Sequence, residues 1–228
     1  MPRPSRNVDA RLLAAGRELY PSTGAAGLTV RKVAARAKAN AAMFHYHFGT
    51  KDAFVRTLLQ GLYEPMFAEL QTATAAQTDP VAGLRSALRV IARFGRNHRV
   101  LLRRLFADAA RSEAPAIDFV RANFPRHAAI VARLIVAGQQ SGRLRRVPVA
   151  QALSFIAGAV AAPILVGSAI VESGLASPAL TQTFEATCSP MRRSTNVSSS
   201  RSQGSRSRGR RELPMRRTGC AAPRRGLR

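Results

Sequence analysis

The sequence predicts an all-α fold, and three observations predict it. From Val8 to about Ser173 apolar residues recur at spacings of three and four, the signature of helices with one buried stripe. No segment shows sustained two-residue alternation with β-branched or aromatic enrichment, as a strand would. Caps and breakers cut the periodic stretch into helix-sized pieces, and no internal repeat is visible.

The elements follow in order. Val8, Leu12, Ala15 and Leu19 form one stripe, so Val8–Tyr20 reads as a helix, with Pro21 and Gly24 expected to break it. Thr29 caps a second helix whose apolar face is Val30, Val33, Ala34 and Ala37. Asn40 caps a third, very short one ending near His47, with Phe44 and Phe48 facing the core. Gly49 ends it by tolerating positive φ. Thr50 caps a long helix running to about Ala75. Asp52 sits in its first turn, where a carboxylate suits the helix dipole. Leu62, Met66 and Leu70 continue its apolar face, and Pro65 is expected to bend it. After a break at Gln77 to Pro80, helices are expected at about Val81–Gly95, Asn97–Arg111, Ala116–Ser141 and Val149–Ser173.

Charge sets the class of partner. The formal net charge is +24 and the pI about 11.9, which points to a polyanion, either nucleic acid or an anionic membrane surface. From Cys188 to Arg228 twelve basic residues stand against one acidic residue, so +11 lies there and +13 on the body. Both cysteines, Cys188 and Cys220, fall in that last stretch, so the body has no disulfide or Cys-based metal site and must stand on its apolar core. The start, MPRPSRNVDARLL, lacks the apolar run of a secretory signal, and a cytoplasmic setting is expected. Val147 to Val171 is 25 residues without a charge, long enough to span a bilayer. It is also rich in Ala, Gly and Ser, with Gln151 and Pro163 inside it and modest expected hydrophobicity. A buried helix, or one packed on a copy of itself, is the preferred reading.

One stretch carries a mechanism. Thr29 to Asp52, TVRKVAARAKANAAMFHYHFGTKD, has two short helical patterns a few residues apart and a His, Tyr and Lys cluster on and after the second. That is the layout of a helix-turn-helix, which places one helix in the major groove of DNA. The residues GLT (Gly27 to Thr29), RKVA (Arg31 to Ala34), Asn40 and FHYHFGTKDAF (Phe44 to Phe54) resemble the DNA-binding domain of the TetR family of bacterial transcriptional repressors. The resemblance covers roughly Val8 to Tyr63. It departs at Lys38, where the family's turn usually carries Gly, and at Ala39, which replaces a larger aliphatic residue.

The resemblance and the residue chemistry together assign roles. Arg31 matches a position that can reach a base, where its fork suits O6 and N7 of guanine; a solvated surface charge is the alternative. Ala41, Ala42, Met43 and His45 would form the exposed face of the recognition helix, small side chains allowing close approach to thymine methyls and His45 donating to a base edge. Thr29, Lys38, Tyr46, His47 and Lys51 would contact phosphates, the last at a helix N-terminus with its own partial positive charge. His45 and His47 lie two apart on a helix and point to different faces, so no metal is expected.

Two copies on a palindrome would double the contacts, with half-sites roughly 34 Å or a multiple apart. The resemblance implies that the last two long helices pair with those of a second copy, and Ala157, Gly158, Ala161, Ala162 and Leu165, with Ala159, would let backbones approach. The middle helices would enclose a small-molecule effector pocket. Its candidate lining is Met66, Phe67, Phe94, Leu101, Phe106, Phe119 and Phe124, with ordinary core as the alternative for each.

No nucleophile elbow, triad or phosphate-cradling loop occurs, so no catalysis and no cofactor is expected. The expected organisation is a DNA-binding domain at 1–52, a helical effector-binding and dimerisation domain at 53–186, and an Arg/Ser-rich tail at 187–228. The tail has almost nothing to bury and is expected to be disordered. It is either a genuine basic arm or the out-of-frame reading of a GC-rich gene. The expected protein is a cytoplasmic, nucleoid-associated homodimer that binds operator DNA and not membrane. Its rivals are a non-specific nucleic-acid binder acting through the tail and a membrane-tethered regulator using Val147–Val171.

Overall fold

The computed structural model describes residues 7–179, 181 and 182, and these are helical with no strand among them. The predicted tail, both cysteines and residues 183–186 lie outside the described residues. The helices are α1 (Val8–Gly27), α2 (Val30–Arg36), α3 (Ala41–Phe48), α4 (Lys51–Ala75), α5 (Pro80–Asn97), α6 (Arg99–Ala110), α7 (Ala114–Gln140), α8 (Val149–Ala162) and α9 (Ser168–Glu172), with a π-helical turn at Pro163–Gly167.

Boundaries moved where proline was over-read. α1 does not stop at Tyr20 but runs through Pro21, which removes one backbone donor while its fixed φ still suits a helix. Ser22 Oγ and Thr23 Oγ1 both donate to the Leu19 carbonyl at 3.0 Å in that turn. The real break is Gly24, at φ 65° and ψ −174°. α4 runs to Ala75 as expected, with Pro65 inside it. α7 starts at Ala114, earlier than expected, because Pro115 falls in the first turn where its missing N–H has no helical partner to lose. The single helix expected at Val149–Ser173 is three segments. At Pro163 the absent N–H interrupts the α ladder, and the π-helical turn takes up the change.

Two buried clusters hold the fold. The first joins Leu12, Tyr20, Leu28, Val33 and Phe44 to Phe54, Val55 and Leu58 of α4, and then to Leu101 and Leu105 of α6 and Ala116 of α7. It therefore crosses residue 52 and ties the N-terminal helices to the rest. The second gathers Tyr63, Met66 and Leu70 of α4 with Ala87 and Val90 of α5 and Ile130 of α7. α4 is the shared beam, packed on α1, α5 and α7.

α8 behaves differently, with no buried residue along its length and Phe155 76% exposed. The window within Val149–Val171 has mean hydropathy 2.1, long and apolar enough to cross a membrane, which corrects the modest value expected from its Ala, Gly and Ser content.

Candidate functional site

The three predicted caps form. Thr29 Oγ1 accepts from the Lys32 N–H at 3.2 Å, Asn40 Oδ1 from the Ala42 N–H at 2.9 Å, and Thr50 Oγ1 from the Ala53 N–H at 3.1 Å. A capping Thr29 keeps its own O–H to donate. Between α2 and α3 the Ala39 N–H donates to the Ala34 carbonyl at 2.9 Å and the Lys38 N–H to the Ala35 carbonyl at 3.2 Å, a Schellman turn with Lys38 in its left-handed position at φ 50°. A side chain there costs about 1–2 kcal/mol of backbone strain that Gly would avoid. Gly49, at φ 68°, closes α3 by donating to the His45 carbonyl at 2.9 Å.

α3 is anchored by one face and open on the other. Phe44 is fully buried, its ring 5.6 Å from Phe48 and 4.9 Å from Phe54. Ala41, Ala42, His45 and Tyr46 are exposed, Tyr46 at 80%. Met43 leaves that face: it is half-buried and packs on the first cluster. His45 Nδ1 lies 2.9 Å from the Gly49 carbonyl. A carbonyl only accepts, so Nδ1 carries the proton and the neutral ring presents Nε2 as an acceptor. His45 thus suits an amino group of cytosine or adenine, and the expected donation to a base edge holds only for the charged ring. His47 is half-buried. Its Nε2 is buried without a partner, and its ring stands edge-to-face with that of Tyr46, centroids 5.2 Å apart. Lys51 is half-buried at the start of α4. On α2, Arg36 pairs with Glu18 and Lys32 Nζ donates to the Gly27 carbonyl at 3.1 Å, while exposed Arg31 has neither engagement.

A buried joint connects this module to α6. Asp108 is fully buried, and its Oδ2 accepts from the Ala25 N–H at 2.8 Å. Arg104 Nε lies 2.9 Å from Asp108 Oδ1, a charge contact whose angles fall short of a hydrogen bond, and Arg104 Nη2 donates to the Thr23 carbonyl at 3.2 Å. Burial, then the Asp108 carboxylate beside it, push the Tyr20 hydroxyl above its usual range. Gly24 is favoured by its left-handed φ, and a Cβ there would also displace the Arg104 guanidinium, 2.0 Å from Nε.

Behind the joint lies a cavity of about 480 Å³ between α4, α5, α6, α7 and α8, within the range of small-molecule sites. Of the predicted lining, Met66, Phe94, Leu101, Phe106, Phe119 and Phe124 are there. Phe67 is not: it stacks on Tyr63 at 5.7 Å, with the Arg126 guanidinium 4.0 Å from its ring centroid. Ala157, Ala161 and Leu165, expected at a dimer face, also line the cavity, because the face of α8 that turns inward covers it. Gly158 and Ala162 stay exposed, with Phe155 and Val166 on the open side. Polar groups enter through α7. Asn123 is buried, and its carbonyl accepts from the Tyr63 hydroxyl at 2.8 Å. His127 Nδ1 lies 3.2 Å from that hydroxyl. Burial holds the His127 ring below its usual range and pushes the Tyr63 phenol up to about 12.

Comparison with known proteins agrees with this geometry. Residues 12–58 match the family described as bacterial regulatory proteins, tetR family. That likeness to the tetR family lies within α1 to α4. Over 62 residues the chain is 39% identical to an HTH-type transcriptional repressor of Mycobacterium tuberculosis and to an HTH-type transcriptional regulator of Mycobacterium bovis, covering 27% of this chain and 33% of each relative. The chain thus matches about one third of the length of those relatives. Beyond residues 12–58 the likeness is one of fold. The regulator FadR of Bacillus subtilis has a TM-score of 0.59 at 15% identity, covering 80% of this chain and 98% of that one. PfmR of Thermus thermophilus, a TetR family transcriptional regulator, has 0.58 at 17%, covering 80% and 96%. KstR2 of Mycobacterium tuberculosis has 0.59 at 17%, covering 81% and 92%.

Reading the sequence missed the joint and the polar wall. Asp108 stands among exposed-looking charges on an Arg-rich helix, and nothing local marks it as buried. Asn123 and His127 are four apart on α7, a spacing that could have been seen. That they meet Tyr63 is a fact of packing.

Proposed function

We propose that this protein is a DNA-binding transcriptional regulator, a ligand-responsive repressor that reads a palindromic operator as a cytoplasmic homodimer. The observation that carries the reading is α3. One face is locked into the core through Phe44, and the other presents Ala41, Ala42, His45 and Tyr46 with nothing over them. Arg31 and His45 read bases, while Thr29, Tyr46, Lys38 and Lys51 fix the backbone. The open side of α8 and of the π-helical turn after it, with Phe155, Gly158, Ala162 and Val166, takes the same face of a second copy, which fits a two-fold operator.

The cavity is the effector site. FadR of Bacillus subtilis was solved in complex with stearoyl-CoA and KstR2 is named a ketosteroid transcriptional regulator, and the apolar lining here would suit the hydrocarbon part of such a molecule. Leu101, Leu105 and Phe106 of α6 line the cavity, and Asp108 of the same helix holds the backbone of Ala25, just ahead of α2. A ligand that favours one position of α6 therefore biases the reader, by no more than its differential affinity for the two states.

Selection of bound duplexes from a random pool tests the reading. An inverted repeat, retained when residues after Thr187 are deleted, is expected. Binding without sequence preference, or lost with the tail, refutes it in favour of the non-specific binder. Sedimentation of the purified chain tests the α8 face, with a dimer expected, and recovery of the expressed chain only in the membrane fraction of a cell lysate would favour a tethered regulator.

A further inference from the structure

With the cavity taken as the effector site proposed above, its few polar groups define what can enter. No Asp, Glu, Lys or Arg lines it among the described residues, so an ionised group inside would lose its water without gaining a counter-charge. Asn123 is closed to a ligand. Its Nδ2 donates to Gln60 Oε1 at 2.9 Å and to the Phe119 carbonyl at 3.0 Å, and its Oδ1 accepts from Gln60 Nε2 at 3.1 Å and Arg126 Nη1 at 3.0 Å. Ser154, across on α8, can donate or accept and so does not discriminate.

His127 discriminates. The Tyr63 hydroxyl has one proton, and it goes to the Asn123 carbonyl. The 3.2 Å contact between that hydroxyl and His127 Nδ1 is therefore made by a proton on Nδ1. Burial keeps the ring neutral. Its Nε2 is then a lone-pair acceptor, and no described residue donates to it.

We infer that the cavity takes an uncharged, mainly apolar ligand carrying a hydroxyl or N–H group, which His127 Nε2 accepts. An ether or ester of the same shape leaves that acceptor unmet, and a carboxylate or ammonium meets an uncharged wall.

The test uses the full chain and four probes of equal chain length: 1-decanol, decyl methyl ether, decanoate and decyltrimethylammonium. Binding is read by displacement of an apolar fluorescent dye, and each probe is also scored for release of operator DNA. Decanol should bind about tenfold or more tighter than the ether, the scale of one buried hydrogen bond, and the two ions should not compete. His127→Phe should erase the alcohol–ether difference. Equal binding of decanol and ether to the wild-type chain, or binding of decanoate as tight as decanol, overturns the inference and needs no variant to fold. A difference that persists in His127→Phe removes His127 from it. Failure of every probe to bind overturns both this inference and the effector reading. Selective decanol binding that leaves the operator complex intact overturns the effector reading alone.

Discussion

Replacing Asp108 tests the joint between α6 and the end of α1. The carboxylate is fully buried, accepts from the Ala25 N–H at 2.8 Å and faces Arg104 Nε at 2.9 Å. Asp108→Ala leaves a buried amide donor without an acceptor, about 1–3 kcal/mol, and breaks a buried ion pair, about 3–5 kcal/mol. These overlap rather than add. The Arg104 side chain is 24% exposed and can turn toward water, so the lower end applies, about 3 kcal/mol. Asp108→Asn loses the same charge beside Arg104 but keeps an oxygen for Ala25, and so should lose about 1–2 kcal/mol less. For a chain of this size each kcal/mol moves Tm by about 2–4 °C, so the Ala variant should melt about 6–12 °C lower and the Asn variant about half as far. Thermal unfolding by circular dichroism measures both. Hydrogen exchange at Ala25 should rise sharply in Asp108→Ala and little in Asp108→Asn. Equal losses in the two variants would refute the role of the Ala25 bond, and an Ala variant within 1 kcal/mol of wild type would refute the joint itself, against the scale given above.

Three further outcomes are expected. Lys38→Gly should be more stable than Lys38→Ala by about 0.5–1 kcal/mol, because relief of the left-handed strain exceeds the entropy Gly adds to the unfolded chain; urea midpoints of the two charge-matched variants measure it. Arg31→Ala should cost about 1–3 kcal/mol of operator affinity and relax preference at one base position, whereas Tyr46→Phe should weaken all sequences alike, as competition with variant operators would show. His127 and His98 are both held below the usual histidine range, by burial and, for His98, also by Arg17. The unfolded chain takes protons the folded one refuses, so stability should be level above about pH 6.5 and fall as pH drops below it; urea unfolding across that range should give a shallower fall in His127→Phe.

What could be read without the structure was local. The caps Thr29, Asn40 and Thr50, the buried Phe44 and the stop at Gly49 each depend on atoms within a few residues, and each stands where the sequence places it. Helix ends were misjudged at Pro21 and Pro115, where a proline within the first turns or before a real kink is tolerated. Met66, Phe94, Leu101, Phe106, Phe119 and Phe124 share a cavity that their apolar character made plausible, but the same character put Phe67 with them, and only its stacking on Tyr63 removes it.

The sequence by itself determined the helix-turn-helix, because capping, turn handedness and amphipathic period are written at separations of two to five residues. Only the tertiary structure decided which face of α8 closes a cavity, that Asp108 grips the Gly24 kink across 83 residues of chain, and that Tyr63 fixes the proton on His127. Those outcomes depend on which helices cross where, a sum of many small packing terms that no short stretch of sequence contains.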